Sequence, residues 1–186
     1  MNNATKYAAY QLRNLMNEGL IASIFTDPNN PDDFIAGYVL AVNQRTTLVH
    51  SLTPFGKPDG FFAIRLNAIL EIQHDSAYAE RLSLLLRLTG QNHPMPQVRD
   101  EDDGLVYLLG MASRQGKAAT LWTASESYSG FVTQVNDLFL QMEPVDFLGR
   151  RCAPMSFRVA DIEMVSLGSE EERMFELLED YHRKNG

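Results

Sequence analysis

The sequence predicts a mainly β protein with flanking helices, laid out as two tandem units of one design. Three observations carry this. A block of sequence recurs at a fixed spacing, β-rich runs broken by turn residues fill both copies, and an amphipathic helical pattern stands before and after each β-rich stretch. The recurrence is the strongest signal, and periods of this kind take precedence over local pattern. Gly37-Tyr38-Val39-Leu40-Ala41-Val42-Asn43 matches Gly130-Phe131-Val132-Thr133-Gln134-Val135-Asn136 at an offset of 93 residues. Without a gap, the offset carries on to Gly56/Gly149, Arg65/Arg158, Ile69/Ile162 and Ser76/Ser169. Upstream, the segments beginning at Gly19 and Gly116 match at an offset of 97, which places four extra loop residues of the first copy within 27–33. Downstream, Glu80-Arg81-Leu82 matches Glu172-Arg173-Met174 at an offset of 92.

Each element follows in order. A helix is expected over about 4–17, with Ala8, Leu12 and Leu15 on one face at helical spacing. Its counterpart is expected over about 103–114, carrying Leu105, Leu108, Leu109 and Ala112. Gly19 and Gly116 then suit the left-handed position that ends a helix. Strands are expected at 20–26, 34–43, 46–53, 60–66 and 68–73, and again at 117–123, 128–136, 138–145, 153–159 and 161–166. Gly56 with Pro58-Asp59-Gly60 is turn chemistry between the third and fourth strands. A closing helix starts near Ser76 in the first copy. In the second, Ser169-Glu170-Glu171-Glu172 reads as a capping box, with Met174, Leu177, Leu178 and Tyr181 as the apolar face behind it. Residues 1–89 form the first unit, 100–186 the second, and the polar, proline-marked stretch 90–99 is the linker.

Composition narrows the functional classes. The net charge is -8, and an acidic surface repels phosphate backbones and anionic membranes alike. No apolar run approaches the roughly 20 residues of a membrane span. The N-terminal residues lack the basic and apolar regions of a secretory signal. Cys152 is the one cysteine, so an internal disulfide is excluded and a cytoplasmic setting is expected. His50, His74, His93 and His182 form no spaced ligand set, which predicts neither a metal nor a cofactor. No phosphate loop, nucleophile elbow or dinucleotide fingerprint occurs, so a non-enzymatic protein is expected.

A helix followed by five short strands, with these motifs, resembles the Sm-like family. Gly37 with Asn43, and Gly130 with Asn136, keep the spacing between the glycine of the first Sm motif and the residue at its strand bend. Ile64-Arg65-Leu66-Asn67-Ala68-Ile69 is similar to the second motif, and Phe157-Arg158-Val159-Ala160-Asp161-Ile162 resembles it more faintly. The resemblance spans about 19–73 and 116–166. It implies two tandem Sm-like (SH3-like) five-stranded β-barrels, each with an N-terminal and a C-terminal helix. It also implies assembly by edge-strand pairing, either as self-association or with a protein partner. The chain departs from the pattern in having Leu66 or Val159 after the arginine, and Thr46 or Phe139 nearest the base-contacting asparagine.

The candidate ligand residues recur in pairs. Arg65 and Arg158 offer a planar fork and a stacking face for a nucleotide or anion; the structural alternative binds each to a nearby carboxylate or to loop carbonyls. Asn43 and Asn136 read as ligand contacts or as side chains that hydrogen-bond the backbone of a turn. Tyr38 and Phe131, with Phe61 and Phe62 nearby, would supply stacking in an RNA-binding version of the fold. Cys152 beside Arg150-Arg151 has no counterpart thiol, since Asp59 takes its place in the first copy. Asp100-Glu101-Asp102-Asp103 reads as an acidic helix start.

Overall fold

A computed structural model of the chain describes residues 2–30, 32–90 and 103–185. The expected linker falls outside the described residues except for Gly90, as do Asp100, Glu101 and Asp102. The chain divides into two compact units, Met1–Gly104 and Leu105–Gly186.

The first unit runs α1 (Asn3–Glu18), β1 (Ile21–Phe25), β2 (Ile35–Val42), β3 (Thr46–Leu52), β4 (Pro58–Arg65), β5 (Glu71–Gln73) and α2 (Ala77–Thr89). Its strands are antiparallel in the open order β5-β1-β2-β3-β4. The second unit carries α3 (Gly104–Gln115, whose first residue closes the first unit), β6 (Ala118–Thr123), β7 (Ser127–Val135), β8 (Phe139–Pro144), β9 (Met155–Arg158), β10 (Ile162–Leu167) and α4 (Glu170–Asn185). Its antiparallel order is β10-β6-β7-β8-β9. The protein is therefore mainly β with four helices among the described residues.

Register repeats along with order. Gly37 pairs with Ser51 and Gly130 with Pro144; Thr46 pairs with Arg65 and Phe139 with Arg158. Even the irregularity is shared, with one bulge between Val39 and Ala41 and another between Val132 and Gln134. The repeated glycine has a steric cause. A Cβ on Gly37 would sit 2.1 Å from the His50 carbonyl oxygen, and one on Gly130 would sit 2.3 Å from that of Glu143. No side chain fits such an approach of two backbones.

The helices depart from expectation in instructive ways. Asn2 caps α1 by accepting from the Thr5 N–H at 2.8 Å, and Gly19 ends the helix with φ of 63°. The buried face of α1 is Thr5, Ala9, Leu12 and Leu15, so Ala9 rather than Ala8 leads into the core. The last strand of the first unit is short: residues 66–70 turn, and only Glu71–Gln73 pair with β1. α2 lays Ala79, Leu82 and Leu86 on Ile21, Ala36 and Leu52, with Phe34, Tyr38 and Tyr78 around them.

The closing helices correspond at 93 residues, correcting the offset of 92 read from the Glu-Arg strings. Ser76 Oγ accepts from the Ala79 N–H at 3.2 Å, and Ser169 Oγ from the Glu172 N–H at 3.4 Å. The turn glycines agree: a Cβ on Gly56 would meet Leu85 and one on Gly149 would meet Leu178. Glu172, Phe175 and Glu179 thus stand in the places of Ala79, Leu82 and Leu86. The expected apolar face of α4 consequently turns outward. Met174, Leu177 and Tyr181 are 51%, 64% and 62% exposed, and only Leu178 of that set is half-buried.

Candidate functional site

Asn43 and Asn136 perform the same local task. Each begins a tight β-turn, with Asn43 Oδ1 accepting from the Arg45 and Thr46 N–H groups, both at 2.7 Å. Asn136 Oδ1 accepts from Leu138 and Phe139 at 2.8 and 2.9 Å. A short side chain that reaches its own backbone two and three residues on is why asparagine suits this bend. In the first unit the arrangement extends further. Thr46 Oγ1 donates to Asn43 Oδ1 at 3.2 Å and accepts from the Gly104 N–H at 3.0 Å. Phe139 replaces Thr46 in the second unit and offers no hydroxyl.

The two arginines have different surroundings. Arg65 pairs with Asp103 at 3.4 Å, and both side chains are largely covered. Arg158 lies on the surface at the end of β9, 69% exposed, and pairs with Asp161 three residues on at 2.6 Å. Tyr38 is half-buried beside the α2 core, and burial raises its phenol above the ordinary range. Phe131 is 5% exposed and carries the Arg151 guanidinium over its face, 4.1 Å from the ring centroid. Arg151 also pairs with Glu143 at 2.9 Å and Glu179 at 3.0 Å, tying β8 to α4. Sequence reasoning passed over Arg151, because its counterpart in the first copy is Pro58. Its partners become visible only once β7, β8 and α4 are placed. Phe61 is half-buried and stacks on His50, with ring centroids 4.9 Å apart.

Within the first unit, Asn43, Thr46, Arg65, Asp103 and Gly104 are therefore brought together, and Asn136 and Arg158 are neighbours through the Phe139–Arg158 pair of the second. Tyr38 and Phe131 belong to the packing of their own units and present no open stacking platform. Of the two recurring arginines, Arg158 has the more open guanidinium.

The least expected group is Glu172, whose carboxylate is fully buried. Oε2 accepts from the Ser169 N–H at 2.7 Å, and Oε1 accepts from the Ser166 hydroxyl. Thr120 adds another hydroxyl and is itself bonded to Ser129 at 2.9 Å. Burial dominates over these bonds and raises the carboxyl above its usual value. The capping box is plain in the sequence, but its burial is not, because Glu at N3 is usually solvated. Sealed from solvent and held by serines and a threonine, this acid anchors the start of α4. Cys152 is exposed, and its Sγ lies 3.8 Å from the Arg150 carbonyl. No group of His, Cys, Asp and Glu suited to a metal occurs among the described residues, and no helix among them is long and apolar enough to cross a membrane.

No protein-family model, curated protein or solved structure matches the chain.

Proposed function

We propose that the chain is a non-enzymatic binding and assembly protein built from two duplicated Sm-like barrel units. The observation that carries the reading is the repeated register. Two five-stranded orders, β5-β1-β2-β3-β4 and β10-β6-β7-β8-β9, share pairing partners, the bulge and the asparagine turn. Sm-like units are open sheets bent toward a barrel, and they associate through the backbone groups of strand edges. β5 and β9, each at one end of its unit's order, are mostly exposed and available for such pairing. Chemistry by the chain itself has little support, because its buried carboxylate is enclosed and its recurring polar residues are engaged in turns and ion pairs.

RNA contact through Arg65 and Arg158 is the second reading, and the exposure of Arg158 favours it. Against it stand the net charge of -8, the Arg65–Asp103 pair and the covered Phe131 ring. The discriminating experiment is purification of the native protein at low salt, followed by absorbance ratio and nuclease treatment. Protein free of nucleic acid, alone or with a protein companion, supports the assembly reading. Nuclease-sensitive material that leaves with salt overturns it in favour of RNA.

A further inference from the structure

We infer that the outer face of α4 is a docking surface for a second copy of this chain, joined to its twin as an antiparallel helix pair. The face lies opposite the covered side, where Glu172 is buried and Phe175, Glu176 and Glu179 are half-buried. Along it run Glu170, Met174, Leu177, Tyr181 and Lys184, alternating four and three residues apart, which is the seam spacing of paired helices. Three exposed apolar side chains occupy the middle, an acid one end and a base the other.

That stripe is its own complement. A two-fold axis through Leu177 sets Leu177 against Leu177 of the twin, Met174 against Tyr181, and Glu170 against Lys184. The acidic first turn, Glu170-Glu171, faces the basic last turn, Arg183-Lys184, at both ends of the pair. An isologous contact requires such self-complementarity. The matching stripe of α2 lacks it, with Ala77 in the place of Glu170 and Arg81 in the place of Met174. Phe147, 91% exposed, stands on the turn whose Leu148 carbonyl lies 3.0 Å from His182 Nε2, and it adds apolar area beside the helix.

A helix of 16 residues, about 24 Å long, covers less than a standard protein interface. The pair is accordingly weak and reversible. Lys184 already pairs with Asp180 on its own helix, and Glu170 is engaged within its own chain too, so each contact between them across the pair is a modest contribution. This surface is separate from the strand edges and does not depend on them.

Sedimentation velocity of the full chain across a concentration series tests the inference. The wild type is expected to pass from monomer to dimer, and Leu177→Glu to remain monomeric, with unchanged circular dichroism because Leu177 is exposed. Tyr181→Ser gives the same reading should the first variant fold poorly, while Leu88→Glu on α2 leaves the dimer intact. Glu170→Lys alone and Lys184→Glu alone each weaken dimerisation by about tenfold, and mixing the two restores it, because every end pair is then opposite in sign. A wild type that stays monomeric overturns the inference. So does a dimer indifferent to Leu177→Glu, which would place self-association on the strand edges instead. Failure of the mixed variants to recover overturns the antiparallel arrangement.

Discussion

Glu172 accepts a 2.7 Å hydrogen bond from the backbone N–H of Ser169 in a site where the first unit has Ala79 and needs no such bond. One unit thus closes its last helix with a methyl group and the other with a buried acid. The consequence is a pH dependence confined to the second unit. Burial raises the Glu172 carboxyl above the 4.5 of an exposed glutamate, so the folded state holds this proton more tightly than the unfolded chain. Its stabilising contribution is therefore full below the unfolded pKa and is lost as pH rises through the raised folded value. Glu172→Gln removes that loss. Thermal unfolding at several pH values should show the variant gaining on the wild type as pH rises, and a gap that does not vary with pH would refute the assignment.

Deleting the group altogether has the opposite sign. Glu172→Ala leaves the Ser169 N–H and the Ser166 hydroxyl buried without their acceptor, which costs about 1–3 kcal/mol. Chemical denaturation checks this, and it should place Glu172→Ala well below Glu172→Gln in stability.

Gly130→Ala should destabilise the second unit by about 1–3 kcal/mol, because the new methyl carbon meets the Glu143 carbonyl at 2.3 Å and two paired strands must separate to admit it. Gly37→Ala should do the same to the first unit. Gly19→Ala is the contrasting case: its φ of 63° is unfavourable to alanine, but no atom lies within 4 Å of the added carbon. Its cost is expected to be about 1 kcal/mol, from backbone strain alone.

The arginine pair predicts unequal losses. Arg158→Ala breaks an exposed pair with Asp161 and should change stability by less than about 1 kcal/mol. Arg65→Ala removes one partner of a largely covered Asp103 and should cost more, as measured by urea midpoints of the two variants.

Much of the architecture was legible because local chemistry decided it. The asparagine turns, the glycines at close approaches and the serine caps each need a particular residue, so they stand out as identities 93 residues apart. The closing helix is the exception, because a string match there points to the wrong register. Glu80-Arg81-Leu82 and Glu172-Arg173-Met174 look alike, but on a helix a shift of one residue rotates the face by about 100°. The caps Ser76 and Ser169 held the correct offset. Hydrophobicity then misled as well, since Met174, Leu177 and Tyr181 mark an apolar face without saying whether it meets the chain's own core. The Arg65–Asp103 and Arg151–Glu179 pairs were beyond reach, because each joins residues far apart in the sequence.

The strand orders also imply a sequence of events in time. β1 through β4 form a meander in which each strand pairs with the next in sequence, but β5 must return to β1, matching Glu71 with Phe25 across the intervening sheet. Closing that long segment costs more chain entropy than any hairpin, so the return strand docks after the meander in each unit. β10 has six residues with which to hold its place, and β5 has three. The first unit should therefore open there earliest. In native-state hydrogen exchange, the amides that join β5 to β1 would give up their protection ahead of those joining β10 to β6.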